Sequence, residues 1–246
     1  MLAIIGGSGL YSLGEEFDLL DQASRKTPYG ETSADILLGR WQGIEVVFFP
    51  RHGAGHRVPP HRVNYRANIW ALHQAGVDRV IAVNAVGGIS PDMAPRSLAI
   101  PDQLIDYSSG REHTFCDGAD GEVRHVDFSQ PYSPGLRNSI ARAAAGLDIA
   151  IVDSGTYGCT NGPRFETAAE IRRLQQDGCS IVGMTGMPEA ALARELEMDY
   201  ACIAVVANWA AGIGESELDM ADILVNLEHG IDQLRPLLLA SARLLS

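Results

Sequence analysis

Cysteine is scarce in this sequence and scattered. Cys116, Cys159, Cys179 and Cys202 form no CxxC pair, which argues against a zinc knuckle or a secreted disulfide framework and leaves them as reduced structural thiols. Positive charge is also short: 19 Lys and Arg face 31 Asp and Glu, a net charge of −12. Non-specific binding to nucleic acid or to an anionic membrane is therefore not expected, and an anionic ligand would need locally concentrated positive charge. No apolar run of about eighteen residues occurs, and residues 1–5 enter strand-like sequence without a basic segment or a signal core. The expectation is a soluble, cytoplasmic chain without membrane contact. Internal repeats and low-complexity linkers are missing too.

What is present suits one folded unit. With 246 residues, 46% of them hydrophobic, the chain is long enough for a single domain over 1–246 with a substantial core. The stretch 183–195, GMTGMPEAALARE, organises it. Residues 180–184 read as an apolar strand, and Thr185, Gly186 and Met187 make a turn. Pro188 stands where a first helical residue belongs, with Ala190, Leu192, Ala193 and Leu196 at helical spacing. Free N–H groups at such a helix start, beside the Thr185 hydroxyl, suit a negatively charged ligand. A capped helix end without a ligand accounts for the same residues, since Thr, Pro and Glu are ordinary there.

Residues 2–5 form an apolar strand that runs into Gly6-Gly7-Ser8-Gly9, where glycine lets backbone N–H groups approach an anion. This is not a dinucleotide fingerprint, because Ser12 takes the third glycine position and no long amphipathic helix follows. That counts against a nicotinamide-dependent oxidoreductase. Residues 33–38 and 44–49 read instead as a hairpin around 39–43. Pro50-Arg51-His52-Gly53 follows at a strand end, where open α/β sheets collect ligands. It brings together two side chains able to carry positive charge. A surface Arg beside a sheet-edge His reads the same way, and the basic run through His56, Arg57, His61, Arg62 and Arg66 equally suits a subunit contact.

A helix over 64–75 is predicted with Asn64 as its cap and Gly76 past its end. A strand over 79–86 leads into Asn84-Ala85-Val86-Gly87-Gly88, read as a second glycine-rich loop on the same sheet edge. After a strand at 100–107, the long aperiodic loop 108–131 is expected to be functional or mobile. Its Arg111, His113, His125 and Asp127 match no ligand spacing, and no metal is assigned. A helix at 134–145 and a strand at 149–158 precede Asn161-Gly162-Pro163-Arg164-Phe165-Glu166-Thr167, where Phe165 also suits the core and Glu166 a helix first turn. The next helix runs to about Asp177. A strand at 199–207 ends at the polar Asn208. Ile223, Leu227, Ile231, Leu234 and Leu238 mark an amphipathic helix over 218–245, with a kink expected near Pro236. Alternating helices and strands describe an α/β domain on a mixed sheet.

IIGGSG, PRHG, VNYRANIWAL, NAVGG, TNGPRFETAAE, GMTGMPEAALARE and the strand ending in Asn208 occur here in one order and spacing. Over essentially the whole chain they resemble the trimeric purine nucleoside phosphorylase and methylthioadenosine phosphorylase family. The resemblance implies a single α/β domain on a mixed, twisted sheet flanked by helices, assembled as a homotrimer. It implies attack of inorganic phosphate, a co-substrate, on the anomeric carbon of a purine nucleoside, with no cofactor. Phosphate contacts would fall to Ser8, Arg51, His52, Asn84, Ala85 and Thr185. Met184 would lie beneath the ribose, with Phe165, Trp209 and Ala210 around the base. Asn208, bonded to N7 and O6, and His52 would be the catalytic groups. The chemistry suits an anionic nucleophile and an anionic leaving group, which preorganised donors stabilise.

Two positions bear on base choice. Family members acting on adenine carry Asp where Asn208 stands and a small residue where Glu166 stands, whereas Glu166 can accept from the protonated N1 of a 6-oxopurine. At the sugar's 5′ end, enzymes for inosine and guanosine use a histidine, but 218–224 offers Met220 and apolar neighbours, suited to a methylthio group. This combination resembles the bacterial methylthioinosine phosphorylases. Inosine or guanosine phosphorolysis, methylthioadenosine phosphorolysis and non-catalytic purine binding stand as alternatives.

Overall fold

A computed structural model describes residues 1–24, 26–118, 123–214 and 219–246. Leu218 of the expected terminal helix and 119–122 of the expected long loop lie outside the described residues. The chain opens with β1 (Leu2–Gly6), β2 (Phe17–Ala23), the short pair β3 (Lys26–Thr27) and β4 (Gly30–Glu31), then β5 (Ile36–Trp41) and β6 (Ile44–Pro50). Helix α1 (Tyr65–Gln74) leads to β7 (Arg79–Gly88), β8 (Leu98–Ala99), β9 (Gln103–Asp106) and α2 (Pro134–Gly146). There follow β10 (Ile151–Val152), β11 (Thr156–Cys159), α3 (Ala168–Gln176), β12 (Ile181–Gly183), α4 (Gly186–Glu195), β13 (Asp199–Trp209) and α5 (Met220–Leu245).

Among the described residues, eleven strands form one mixed sheet. Its main path runs β10-β8-β13-β7-β1-β6-β5-β2, with β9, β11 and β12 branching from β7. Strands β13, β7, β1 and β6 run parallel at its centre. Their side chains alternate between two apolar layers, as strand geometry requires. Ala3, Ile5, Ala82 and Cys202 face α1 and α4, while Ile4, Ile81, Ile203 and Val205 face α2 and α5. Helices on both faces of a parallel core make this an α/β domain.

Several local readings hold. Asn64 caps α1 by accepting from Ala67 N–H, as expected; at α3 the structure adds a reciprocal capping box between Thr167 and Glu170. The β5–β6 hairpin turns at Gln42 and Gly43, both with positive φ, which matches the twist of its strands. All five apolar positions expected on α5 are buried. Others need correction. Asn84 to Gly88 is not a loop: β7 continues through Gly88, paired with β13. The expected strand at 149–158 is two short strands, and the one expected at 100–107 shortens to β9, with β8 pairing ahead of it at Leu98–Ala99. Strand β2 has no counterpart in the sequence reading, and α5 passes through Pro236 as one helix.

Candidate active site

Strand β7 is paired with β13 along one edge, but its other edge is discontinuous. Strand β1 accompanies it only as far as Ala82, and β12 takes over at Gly87. A cavity of about 360 Å³ opens beside the interval, a size that suits a nucleoside-sized ligand. Every site residue named from the sequence lines this cavity except Asn84 and Trp209.

Arg51 is fully buried under the Gly6-Gly7-Ser8 turn. Its Nε and Nη2 donate to the two oxygens of Glu189 at 2.8 and 2.7 Å, and Nη1 donates to Val83 O at 2.9 Å. Tyr200 Oη donates to Glu189 Oε2 at 2.9 Å. Burial works against the guanidinium charge, but the adjoining Glu189 outweighs it and raises the pKa. Arg51 thus lines the cavity as half of a neutral pair, leaving one N–H on Nη1 and one on Nη2 for a ligand. Gly7 permits this arrangement, since a Cβ there would lie 2.4 Å from Val83 O and 3.0 Å from Arg51 Nη1.

His52 is neutral as well. Its Nδ1 lies 2.8 Å from Val58 O, and a carbonyl can only accept, so Nδ1 carries the hydrogen and Nε2 is left as an acceptor. Burial first, then the charge of Arg51, lowers its pKa to about 4. The His56 ring stands 4.3 Å from the His52 ring, with Nε2 3.5 Å from Ser8 Oγ; burial and Arg51 lower its pKa too. Of the two side chains read as able to carry positive charge, Arg51 is thus a paired cation and His52 a neutral imidazole.

Thr185 presents its hydroxyl from the loop after β12. Asn84 is not a cavity residue: it is buried behind Thr185, and its Nδ2 donates to Thr185 Oγ1 at 2.6 Å. Ala85 lines the wall in its place. The expected anion site at the helix start is also corrected. The peptide before Pro188 is cis, Met187 is non-helical, and Gly186 and Met187 are buried away from the cavity. The carboxylate in the first turn of α4 belongs to the chain itself, in Glu189. Gly183 allows close packing at this corner, because a Cβ there would lie 2.1 Å from Tyr157 Oη.

At the far wall, β13 carries a bulge between Val206 and Asn208. In a regular strand Ala207 and Asn208 would face opposite sides; the bulge puts both on the cavity. Asn208 Nδ2 donates to Trp209 O at 2.7 Å, leaving Oδ1 and a second N–H. Trp209 does not line the cavity: its ring lies close to Gly214 beside a separate pocket, and its carbonyl accepts from Asn208. Phe165 is 41% exposed at the mouth rather than in the core. Glu166 Oε1 accepts from Thr160 Oγ1 at 2.6 Å. Met184 packs against Gly162, and Ala210 completes the wall.

The remaining wall is apolar. Met220, Ile223, Leu224 and Leu227 of α5 face Tyr11 across the opening, with Met220 and Leu224 more than half exposed. Arg111, set aside in the sequence reading, ties three segments together. It donates to the carbonyls of Thr160, Asn161, Met184 and Met187, and its guanidinium lies over the Tyr65 ring. Sequence reasoning also missed Glu189, Tyr200, Thr160 and His56. Only His56 carried a signal, as a second histidine four residues after His52 in a basic stretch. Among the described residues, no group of His, Cys, Asp or Glu is arranged to hold a metal, and no helix is long and apolar enough to cross a membrane.

The chain is 54% identical over 228 residues to a protein from Xanthomonas campestris pv. campestris named probable S-methyl-5′-thioinosine phosphorylase, covering 92% of this chain and 91% of that one. It is 45% identical over 249 residues to the 6-oxopurine nucleoside phosphorylase of Pyrococcus furiosus, covering 99% and 92%. Among solved structures, methylthioadenosine phosphorylase from Schistosoma mansoni in complex with adenine superposes with a TM-score of 0.94 at 31% identity, covering 99% of this chain and 91% of that one. The model of the phosphorylase superfamily matches residues 1–243, and the chain belongs to that family.

Proposed function

We propose that this protein catalyses phosphorolysis of S-methyl-5′-thioinosine to hypoxanthine and S-methyl-5-thio-α-D-ribose 1-phosphate, in purine salvage. The observation that carries this reading is a single cavity lined both by Glu166 and Asn208 and by an apolar wall of Met220, Ile223, Leu224 and Leu227. An apolar wall gives a methylthio group contacts that a hydroxyl cannot use. The relative at 54% identity bears the corresponding name, and that at 45% identity acts, by its name, on 6-oxopurine nucleosides.

In this reading phosphate lies among Ser8, Arg51, His52, Ala85 and Thr185. One of its oxygens bonds to the anomeric carbon as the bond to N9 breaks, and the bonding electrons pass into the purine. Donors aimed at that developing charge lower the barrier. Asn208 has one N–H for O6 and Oδ1 for a proton arriving at N7. His52 Nε2, unprotonated, accepts the phosphate O–H. Met184 supports the sugar and Phe165 covers the base. Inorganic phosphate is the co-substrate, and the steps call for no cofactor.

A homotrimer and a cytoplasmic location complete the proposal. Exposed Phe165, Met220, Leu224 and Val225 near the mouth support subunit contact, since neighbouring copies would cover apolar surface there. The deciding experiment measures phosphate-dependent base release from methylthioinosine, methylthioadenosine and inosine side by side. Methylthioinosine is expected to be turned over most efficiently; faster use of methylthioadenosine overturns the base assignment, and faster use of inosine overturns the 5′ assignment.

A further inference from the structure

Glu166 sits on the segment between β11 and α3, outside any strand or helix, while the hydroxyl that donates to its carboxylate sits just past the end of a strand. Thr160 directly follows β11, which is paired with β12 through Cys159 and Gly183. Its backbone N–H donates to Gly183 O at 2.9 Å, and its carbonyl accepts from Arg111 Nη2 at 3.2 Å. Backbone contacts alone therefore fix Thr160. Its hydroxyl is free for another task, and it lies 2.6 Å from Glu166 Oε1, against 3.5 Å from Gly183 O. A hydroxyl has a single hydrogen, and the short contact to a carboxylate is the stronger bond.

We propose that Thr160 is a positioning residue for base selection, holding one oxygen of Glu166 so that the other faces N1 of the purine. This inference rests on the proposed function and assigns it a residue that does not line the cavity. A glutamate on a loop has several rotamers and, unrestrained, can turn its carboxylate to water when the base offers no proton. Tethered at Oε1, it cannot. Oε2 then meets either the N1 hydrogen of a 6-oxopurine or the N1 lone pair of a 6-aminopurine. Discrimination is large where a buried acceptor is denied a donor. The tether thus makes a half-buried loop carboxylate selective.

Thr160→Val keeps the shape and removes the donor; Thr160→Ser keeps the donor. For each, kcat/KM is measured with methylthioinosine and methylthioadenosine, together with KM for phosphate. The Val variant is expected to lower the 6-oxo to 6-amino ratio at least about tenfold, as loss of a hydrogen bond to a charged group implies. KM for phosphate should stay unchanged, and the Ser variant should restore the ratio. Thr160→Ala, which adds no bulk, must show the same change as Val, so a folding defect in one variant does not decide the outcome. A wild-type preference for methylthioinosine that survives unaltered in Val and Ala overturns the inference alone. A wild type without that preference overturns the proposed function and the inference with it.

Discussion

Asn84 Nδ2 donates to Thr185 Oγ1 at 2.6 Å, and Cys202 Sγ donates to Asn84 Oδ1 at 3.2 Å, all three side chains being buried. An acceptor role for Oγ1 toward Asn84 leaves the Thr185 hydrogen free to point into the cavity. In the proposed reaction Asn84 thus acts on bound phosphate through Thr185. Thr185→Val is expected to raise KM for phosphate by about tenfold, a typical loss for one hydrogen bond to a charged partner. Asn84→Ala should raise it by a smaller factor. Initial rates against phosphate concentration check both, and an Asn84 effect larger than that of Thr185 would contradict this order.

The Arg51–Glu189 pair joins residues 138 positions apart in a site with almost no exposure. Removing one charge strands the other. Glu189→Ala is expected to cost about 3–5 kcal/mol of folding stability, whereas Arg51→Met with Glu189→Leu should recover much of that loss without recovering activity. Chemical denaturation with an activity assay separates the two effects.

His52 gives a pH signature. Its folded pKa, lowered to about 4 from 6.5, means that the unfolded chain takes up a proton which the native state refuses. Its contribution to stability is full above pH 6.5 and is lost as pH falls toward 4. Between pH 7 and 4.5 that loss is on the order of 2 kcal/mol. His52→Gln should abolish this portion of the pH dependence, read from denaturation curves at both pH values.

How much of this could be read beforehand depends on distance along the chain. Local signals served well: the Asn64 cap, the hairpin turn and the buried face of α5 each depend on neighbours within a few residues. Strand β2 stayed hidden because Leu19 and Leu20 are exposed, so no alternation marks it. Gly87 and Gly88 looked like a loop but lie in a strand that passes close to other backbone; a Cβ at Gly88 would lie 1.8 Å from Met93 O. Most site positions were visible through family resemblance. Their charge state was not, because Glu189 resembles any first-turn acid until the fold brings Arg51 to it.

Asn208→Asp combined with Glu166→Ser tests base choice from the other side. The exchange gives the cavity an acceptor for a 6-amino group and removes the carboxylate that the proposed reaction sets against N1. The ratio of methylthioadenosine to methylthioinosine turnover is expected to rise by about two orders of magnitude. An unchanged ratio would assign base choice to other residues.

The neutral pairing of Arg51 has a consequence for traffic through the site. In the proposed reaction one anion arrives as phosphate and another departs as a sugar phosphate. An unpaired buried cation would hold both tightly, deepening the well for reactant and product without favouring the transition state. With Glu189 cancelling the guanidinium and His52 uncharged, the residual N–H groups and hydroxyls can grip an anion by direction more than by charge. Such a pocket works as a turnstile, passable from either side.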